Sequence, residues 1–339
     1  MEDSISPRNV LVIGGTRFVG YDLVWRLLAA GHRVSLFNRG QLADPFGPRV
    51  ERLRGDRTTD DFPRLLAGRR FDVAVDFVAY RGEDARQVVS VLGGRLGHYV
   101  VISSGQVYLV RDGAKRPARE DDYEGPLLPE PKDPAEHREW DYGMGKRAVE
   151  DTLAEYWTVL RFPSTRLRIP MVNGERDYHR RLEGYLWRLL DGGPVLLPDG
   201  GDRPTRHVYS GSVARAILEV LGVERSFGQA YNLAQDETPT LGELLTLMAE
   251  RLGARARLVP VPAAEIREAG LDPVAISPFS GRWMSFLDPS RARAELGFRH
   301  EALAAYLDKI VTTFLANPPE EPPPGYATRA AEIAVAARR

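Results

Sequence analysis

Tyr142 and Lys146 stand four residues apart in "DYGMGKRAVED", a segment with helical spacing, so both side chains project from one face. A free phenol titrates near pH 10, about three units too high to serve as a base at neutrality. A neighbouring ammonium favours the phenolate and lowers that value. The chain has four lysines, Lys115, Lys132, Lys146 and Lys309, among 46 basic residues, so a lysine at this spacing is conspicuous. Its compact charge and three donors suit it to act on a phenol and on a ribose hydroxyl together. Ser104, at the end of "HYVVISS", sits where a strand of a parallel sheet would deliver it into the ligand crevice, able to hold a hydroxyl or carbonyl beside Tyr142.

A second set of residues has the types and order of a phosphate turn. "VLVIGGTRFVG" reads as a buried strand running through glycines into a helix, whose N-terminus offers unpaired N–H groups to a pyrophosphate. Gly14, Gly15, Thr16, Arg17, Phe18, Val19 and Gly20 form the expected dinucleotide contact. Gly14 makes the turn and Gly20 lets helix and strand approach. At the end of the second strand, where an acidic residue would hold a ribose 2′-hydroxyl, this chain has Asn38 followed by Arg39. An acid repels a 2′-phosphate, whereas an amide and the arginines at 17 and 39 attract one. The cofactor expectation is therefore NAD(P), leaning to NADP. Asp56 in "RGDR" is the candidate adenine contact.

These groups need a scaffold, and the pattern supplies one. Strand-like runs at Val10 to Ile13, "HRVSLFNRG", "VERLRGDR", "FDVAVDFVAY", "HYVVISS" and "STRLRIPMV" alternate with helix-like segments, the first at Val19 to Ala30. That alternation predicts an α/β fold, a doubly wound parallel Rossmann sheet with a smaller C-terminal substrate-binding lobe. The dinucleotide domain is expected over residues 1–170 with a later contribution near 207–234. The substrate lobe is expected over 171–206 and 235–316, and residues 317–339 read as a proline-rich linker and C-terminal helix. Leu109 to Trp140 loses periodicity and reads as an irregular, charged insertion, a candidate flap. "TLGELLTLMAERLG" begins with Thr240 and Glu243 at capping-box spacing.

Composition removes other chemistries. There are 339 residues, 46 basic against 47 acidic side chains and no cysteine. The absence of cysteine excludes disulfides, thiolate metal sites and a thiol nucleophile, and no metal site is expected. The near-zero net charge gives no global attraction to nucleic acid or to an anionic membrane. "MEDSISPRN" is acidic without an apolar core, and no apolar run approaches the ~18 residues of a span, so a cytoplasmic location is expected.

Taken together, "GGTRFVG", "SSGQVY" and "YGMGK" followed by Glu150 resemble the extended short-chain dehydrogenase/reductase superfamily, in its NAD-dependent epimerase/dehydratase branch. The resemblance runs from about Val10 to about Phe298. It implies that Ser104, Tyr142 and Lys146 are the catalytic serine, tyrosine and lysine of an enzyme moving a hydride at a secondary alcohol, on a sugar or sugar-like small molecule. It also implies a homodimer. A carbonyl reductase consuming NADPH is the alternative within the class. Substrate contacts are expected from Ser104, Gln106, Met171, Arg203 and Arg206, with Phe279, Trp283 and Phe286 as pocket wall. Met171 stands where nucleotide-sugar epimerases carry an asparagine, and Thr205–Arg206 is shifted relative to their phosphate-binding arginine; both argue against a nucleotide-sugar substrate. Gly105 and Gln106 replace the acid pair of the 4,6-dehydratases, which argues against dehydration. "GGTRF" and "VDFVAY" resemble an atypical subgroup that includes chloroplast stem-loop RNA-binding proteins, so a non-catalytic RNA binder is the rival reading, against which the charge balance weighs.

Overall fold

A computed structural model describes residues 6–339; the first five residues of the acidic N-terminus lie outside it. In chain order the first half contains β1 (Asn9–Ile13), α1 (Phe18–Ala29), β2 (Arg33–Asn38), β3 (Val50–Arg54), α2 (Asp61–Leu66), β4 (Val73–Asp76), α3 (Gly82–Leu92), β5 (Tyr99–Ser104), α4 (Gln106–Leu109), α5 (Pro134–Leu160) and β6 (Ser164–Ile169). There follow β7 (Val172–Asn173), α6 (Arg181–Leu190), β8 (Val195–Pro198), β9 (Val208–Tyr209), α7 (Ser210–Val220), β10 (Ala230–Asn232), α8 (Leu241–Leu252) and β11 (Leu258–Val261). The chain ends with α9 (Ala263–Glu268), α10 (Pro273–Ile276), α11 (Ser290–Leu296), α12 (Leu303–Ala316) and α13 (Arg329–Ala336).

The chain divides into two compact units. Of the described residues, the first takes in those up to 170, 210–234 and 287–300. Its seven-stranded sheet has the order β10-β6-β5-β4-β1-β2-β3, and every neighbouring pair is parallel. The order reverses between β1 and β4, and ligands of such sheets bind outside the carboxyl ends of the strands at that switch. Both faces are covered: α3 and α5 pack together, as do α1 and α7. That is why the central strands read as apolar runs rather than alternating ones. Leu11, Ile13, Ala74, Tyr99 and Val101 form one core with Val88 and Leu92 of α3 and Val149 and Leu153 of α5.

The helix carrying Tyr142 and Lys146 begins earlier than periodicity suggests. Asp133 accepts hydrogen bonds from the backbone N–H groups of Ala135 and Glu136, and Pro134 occupies the first helical position, so α5 takes in the charged end of the irregular 109–140 stretch. The polar residues there hid the helix, because its early turns lack an apolar stripe.

The second unit comprises residues 171–209, 235–286 and 301–339. Leu186, Leu189, Leu244, Leu245, Met248, Leu307 and Val311 build its core. Thr240 caps α8 as its spacing predicts, bonding reciprocally with Glu243. The proline-rich tail is folded rather than loose: Arg188 pairs with Glu332 at 2.6 Å, and Arg329 with Asp191 at 2.6 Å. Among the described residues no helix is long and apolar enough to cross a membrane.

Candidate functional site

The glycine turn follows β1 as its pattern requires. Gly14 N donates to Phe37 O at 2.9 Å, tying the turn to β2. A Cβ at Gly20 would lie 2.4 Å from Gly15 Cα, so only a residue without a side chain lets α1 start this close to the turn. A glycine turn this close to the start of a helix fits the pyrophosphate of a dinucleotide. Arg17 is exposed at the N-cap of α1, and Val19 is buried beneath it. Asn38 ends β2, and Arg39 beside it is exposed. Asp56 Oδ1 accepts from Thr58 N at 2.9 Å and Thr58 Oγ1 at 2.8 Å, which shapes the turn after β3.

Lys146 is 2% exposed. Its ammonium donates to Ala79 O at 2.8 Å and to Ile102 O at 2.9 Å, bridging the loop after β4 and the end of β5. It also lies 4.7 Å from the ring centre of Tyr80 and 5.8 Å from that of Tyr142. Burial lowers its pKa to about 8, against the opposing pull of Asp76 and Glu150. Gly145 allows the approach: a Cβ there would lie 2.4 Å from Tyr80 O. Tyr142 is half-buried, its ring 6.2 Å from that of Tyr80. Ser104 is half-buried at the end of β5, where its Oγ accepts from Gln106 N at 3.2 Å. Gln106 in turn donates to Glu139.

Two buried ionic groups hold these elements, and pattern reading missed both. Asp76, fully buried at the end of β4, accepts from Arg57 at 2.9 and 3.1 Å and from Tyr99 OH at 2.8 Å. Arg57 reaches on to Asp84 at 3.0 Å, and Asp84 accepts from Tyr80 N at 2.7 Å and Arg81 N at 2.9 Å. The loop that supplies Ala79 O and Tyr80 is therefore stapled from below. Glu150, one turn beyond Lys146, pairs with Arg168 of β6 at 2.6 Å and accepts from Ser103. Burial pushes the Glu150 carboxyl up, but Arg168 more than reverses this and holds it below the ordinary range. The signal was available: an acid inside the apolar run "FDVAVDF" and an arginine inside "STRLRIP" cannot be buried alone.

The residues expected to line a substrate pocket have mixed placements within the second unit. Met171 packs against that unit's apolar core. Arg203 is exposed, and the Arg206 guanidinium lies 4.8 Å over the Phe286 ring. Arg282 covers Trp283 at 4.6 Å. Phe279 corrects the expectation: it is 3% exposed, packed against Tyr185 and His207, and belongs to the core. A lone aromatic carries no sequence sign of which side it faces.

The sequence matches the NAD dependent epimerase/dehydratase family over residues 10–234. This chain belongs to that family. Its relatives resemble it at modest identity. The chloroplast stem-loop binding protein of 41 kDa b from Arabidopsis thaliana is 28% identical over 267 residues, 73% of this chain and 64% of that protein. The chain thus spans less than two thirds of that relative's length. The 2′-dehydrokanamycin reductase of Streptomyces kanamyceticus is 26% identical over 285 residues, 83% of this chain and 76% of the reductase. Among solved structures, the UDP-glucose 4-epimerase of Thermotoga maritima with UDP-glucose superposes with a TM-score of 0.72 at 18% identity, covering 91% of this chain and 99% of the other. At that identity the match establishes the shared fold of this family member.

Proposed function

We propose that this family member is an oxidoreductase or epimerase acting at a secondary alcohol or ketone of a sugar-like small molecule, with NADP preferred over NAD. The observation that carries the reading is the buried Lys146 ammonium, held by two carbonyls one helical turn after Tyr142 and beside its ring. In this reading the nicotinamide dinucleotide, seated on residues 14–20, 38, 39 and 56, supplies the hydride chemistry when bound. Tyr142 takes the proton from the substrate hydroxyl, or returns it to the carbonyl oxygen. Lys146 keeps that phenol acidic, and its third N–H remains to orient a ribose hydroxyl. Ser104 donates to the substrate oxygen and fixes its distance from Tyr142. Gln106, Met171, Arg203 and Arg206 bear on substrate choice. The absence of an acid at the end of β2, with Arg17 and Arg39 at hand, supports the NADP preference.

The test is absorbance at the reduced-nicotinamide band with a panel of keto-sugars and 2′-dehydrokanamycin, the compound for which the reductase relative is named. Turnover with the wild type is expected to fall about 10²- to 10⁴-fold in Tyr142→Phe. Near-full turnover in that variant removes the mechanism. Net consumption of NADPH identifies a reductase, whereas product formed without net consumption identifies an epimerase. The stem-loop binding relative supports a second reading, RNA binding without chemistry. Salt-dependent RNA retention with no turnover across the panel would favour it.

A further inference from the structure

The adenosine end of the crevice contains an arginine that the glycine turn and the strand-end pattern do not single out. Asn38 ends β2 and Arg54 ends β3, and the two are register partners in the parallel pair. Arg54 Nη1 donates to Asn38 Oδ1, and Gly40 N donates to the same oxygen at 2.9 Å. Two donors on one oxygen fix which end of the amide it is and fill its lone pairs. The amide nitrogen of Asn38 is buried without a hydrogen-bond partner. Asn38 therefore has no acceptor left for a ribose 2′-hydroxyl, and the exposed polar group of the pair is the guanidinium.

That guanidinium is fixed in place. Its second amino group reaches Asp44 Oδ2 at 3.4 Å, while Arg52 holds Asp44 at 2.5 Å. The Asp44 side chain is 1% exposed, that of Arg54 39%. The hydrogen bond from Arg52 keeps the Asp44 carboxyl below the ordinary carboxylate range, so the anchor stays charged. Gly40 clears the path: a Cβ there would lie 2.8 Å from Arg54 Cδ. An arginine held at its inner edge and open at its outer edge has already lost the rotamer freedom that binding would otherwise remove. Arg39 is exposed next to it, on the chain between Asn38 and Gly40.

We infer that Arg54 is the pre-positioned arm of a phosphate-monoester seat at the ends of β2 and β3, built by Asn38, Gly40 and Asp44, and that it takes the 2′-phosphate of NADP. This rests on the NADP preference above, and it assigns the dominant contact to Arg54 rather than to Arg39 or Arg17. A planar fork suits a phosphate better than a point charge does.

Calorimetric titration of the full chain with 2′,5′-ADP, with 5′-ADP and with inorganic phosphate tests it. The wild type is expected to bind 2′,5′-ADP at least about tenfold more tightly than 5′-ADP, the size of one charge-assisted contact. Arg54→Met is expected to bring the two affinities together while leaving that for 5′-ADP unchanged. Arg54→Lys, which keeps the charge opposite Asp44 and so the local fold, is expected to lose several-fold of the preference. Equal binding of the two nucleotides by the wild type would overturn the NADP preference and the seat with it. A wild-type preference that survives in both Arg54 variants but disappears in Arg39→Met would overturn only the assignment to Arg54. Inorganic phosphate displacing 2′,5′-ADP at similar concentration would show a general anion site and overturn the nucleotide assignment.

Discussion

Two buried polar networks, one in each unit, are built from opposite materials. Beneath the candidate site, the first unit buries charges: Glu150 with Arg168, and Asp76 with Arg57. The second unit also buries an ion pair, Arg188 with Glu332, but around His207 it holds a network of similar depth that is neutral throughout. His207, 1% exposed, accepts at Nδ1 from Asn173 at 3.0 Å and bonds through Nε2 to Thr205 Oγ1 at 3.0 Å. Thr205 Oγ1 donates onward to Pro239 O, which fixes the proton of the ring on Nε2. Tyr306 OH donates to Gln235 at 2.7 Å and lies 3.4 Å from the Asn173 amide. Burial lowers the His207 pKa to about 3, so the ring stays uncharged. A neutral network can close on itself at modest cost, whereas a buried ion pair carries a desolvation penalty that only good geometry offsets. The first unit accepts that penalty where the position of α5 and of the loop after β4 sets the surroundings of Lys146.

The largest break in this contrast comes from unpairing one charge. Glu150→Ala leaves the Arg168 guanidinium buried without its carboxylate partner, and a loss of about 3–5 kcal/mol is expected in urea unfolding. The double variant Glu150→Met with Arg168→Met removes both charges and is expected to recover most of that loss. Its turnover should nevertheless stay low if the pair registers α5. A double variant with wild-type turnover would show that the ionic character is dispensable for position.

Lys146 sharpens the comparison through pH. Its folded pKa of about 8 lies below the unfolded value of about 10.4. Between those values the unfolded chain binds the extra proton, so stability rises with pH across that window, by roughly 3 kcal/mol at its upper end. Below pH 8 both states are protonated and the term is flat. Lys146→Met should lack this rise, so the stability difference between wild type and variant should move in favour of the wild type from pH 8 to 10. A constant difference would mean that the ammonium is not desolvated as described.

Much of this was legible in the sequence, and the remainder has a common cause. The strands from β1 to β6, the cap of α8, the glycine turn and the Tyr142/Lys146 spacing are local signals, each complete within a dozen residues. The start of α5 at Pro134 was hidden because a polar, solvent-facing turn has no apolar stripe. The pairs Arg57–Asp76 and Glu150–Arg168, and the Arg54–Asn38 contact, join residues on different elements. A charged residue in an apolar run announces that a partner exists but not which one. Phe279 failed in the same way, since an isolated aromatic has no periodic neighbours to say which side is core.

The smallest expected effect tests the neutral side of the contrast. Tyr306→Phe removes one hydroxyl and leaves Gln235 Oε1 without its donor, which should cost about 1–2 kcal/mol in urea unfolding. Nothing in this network changes charge between about pH 5 and 9, because burial pushes the Tyr306 phenol up and the His207 imidazole down. The penalty should therefore be the same at both ends of that range, unlike the pH-dependent term at Lys146. A Tyr306→Phe penalty that changed with pH would place a titrating group in the His207 network and erase the distinction between the two networks.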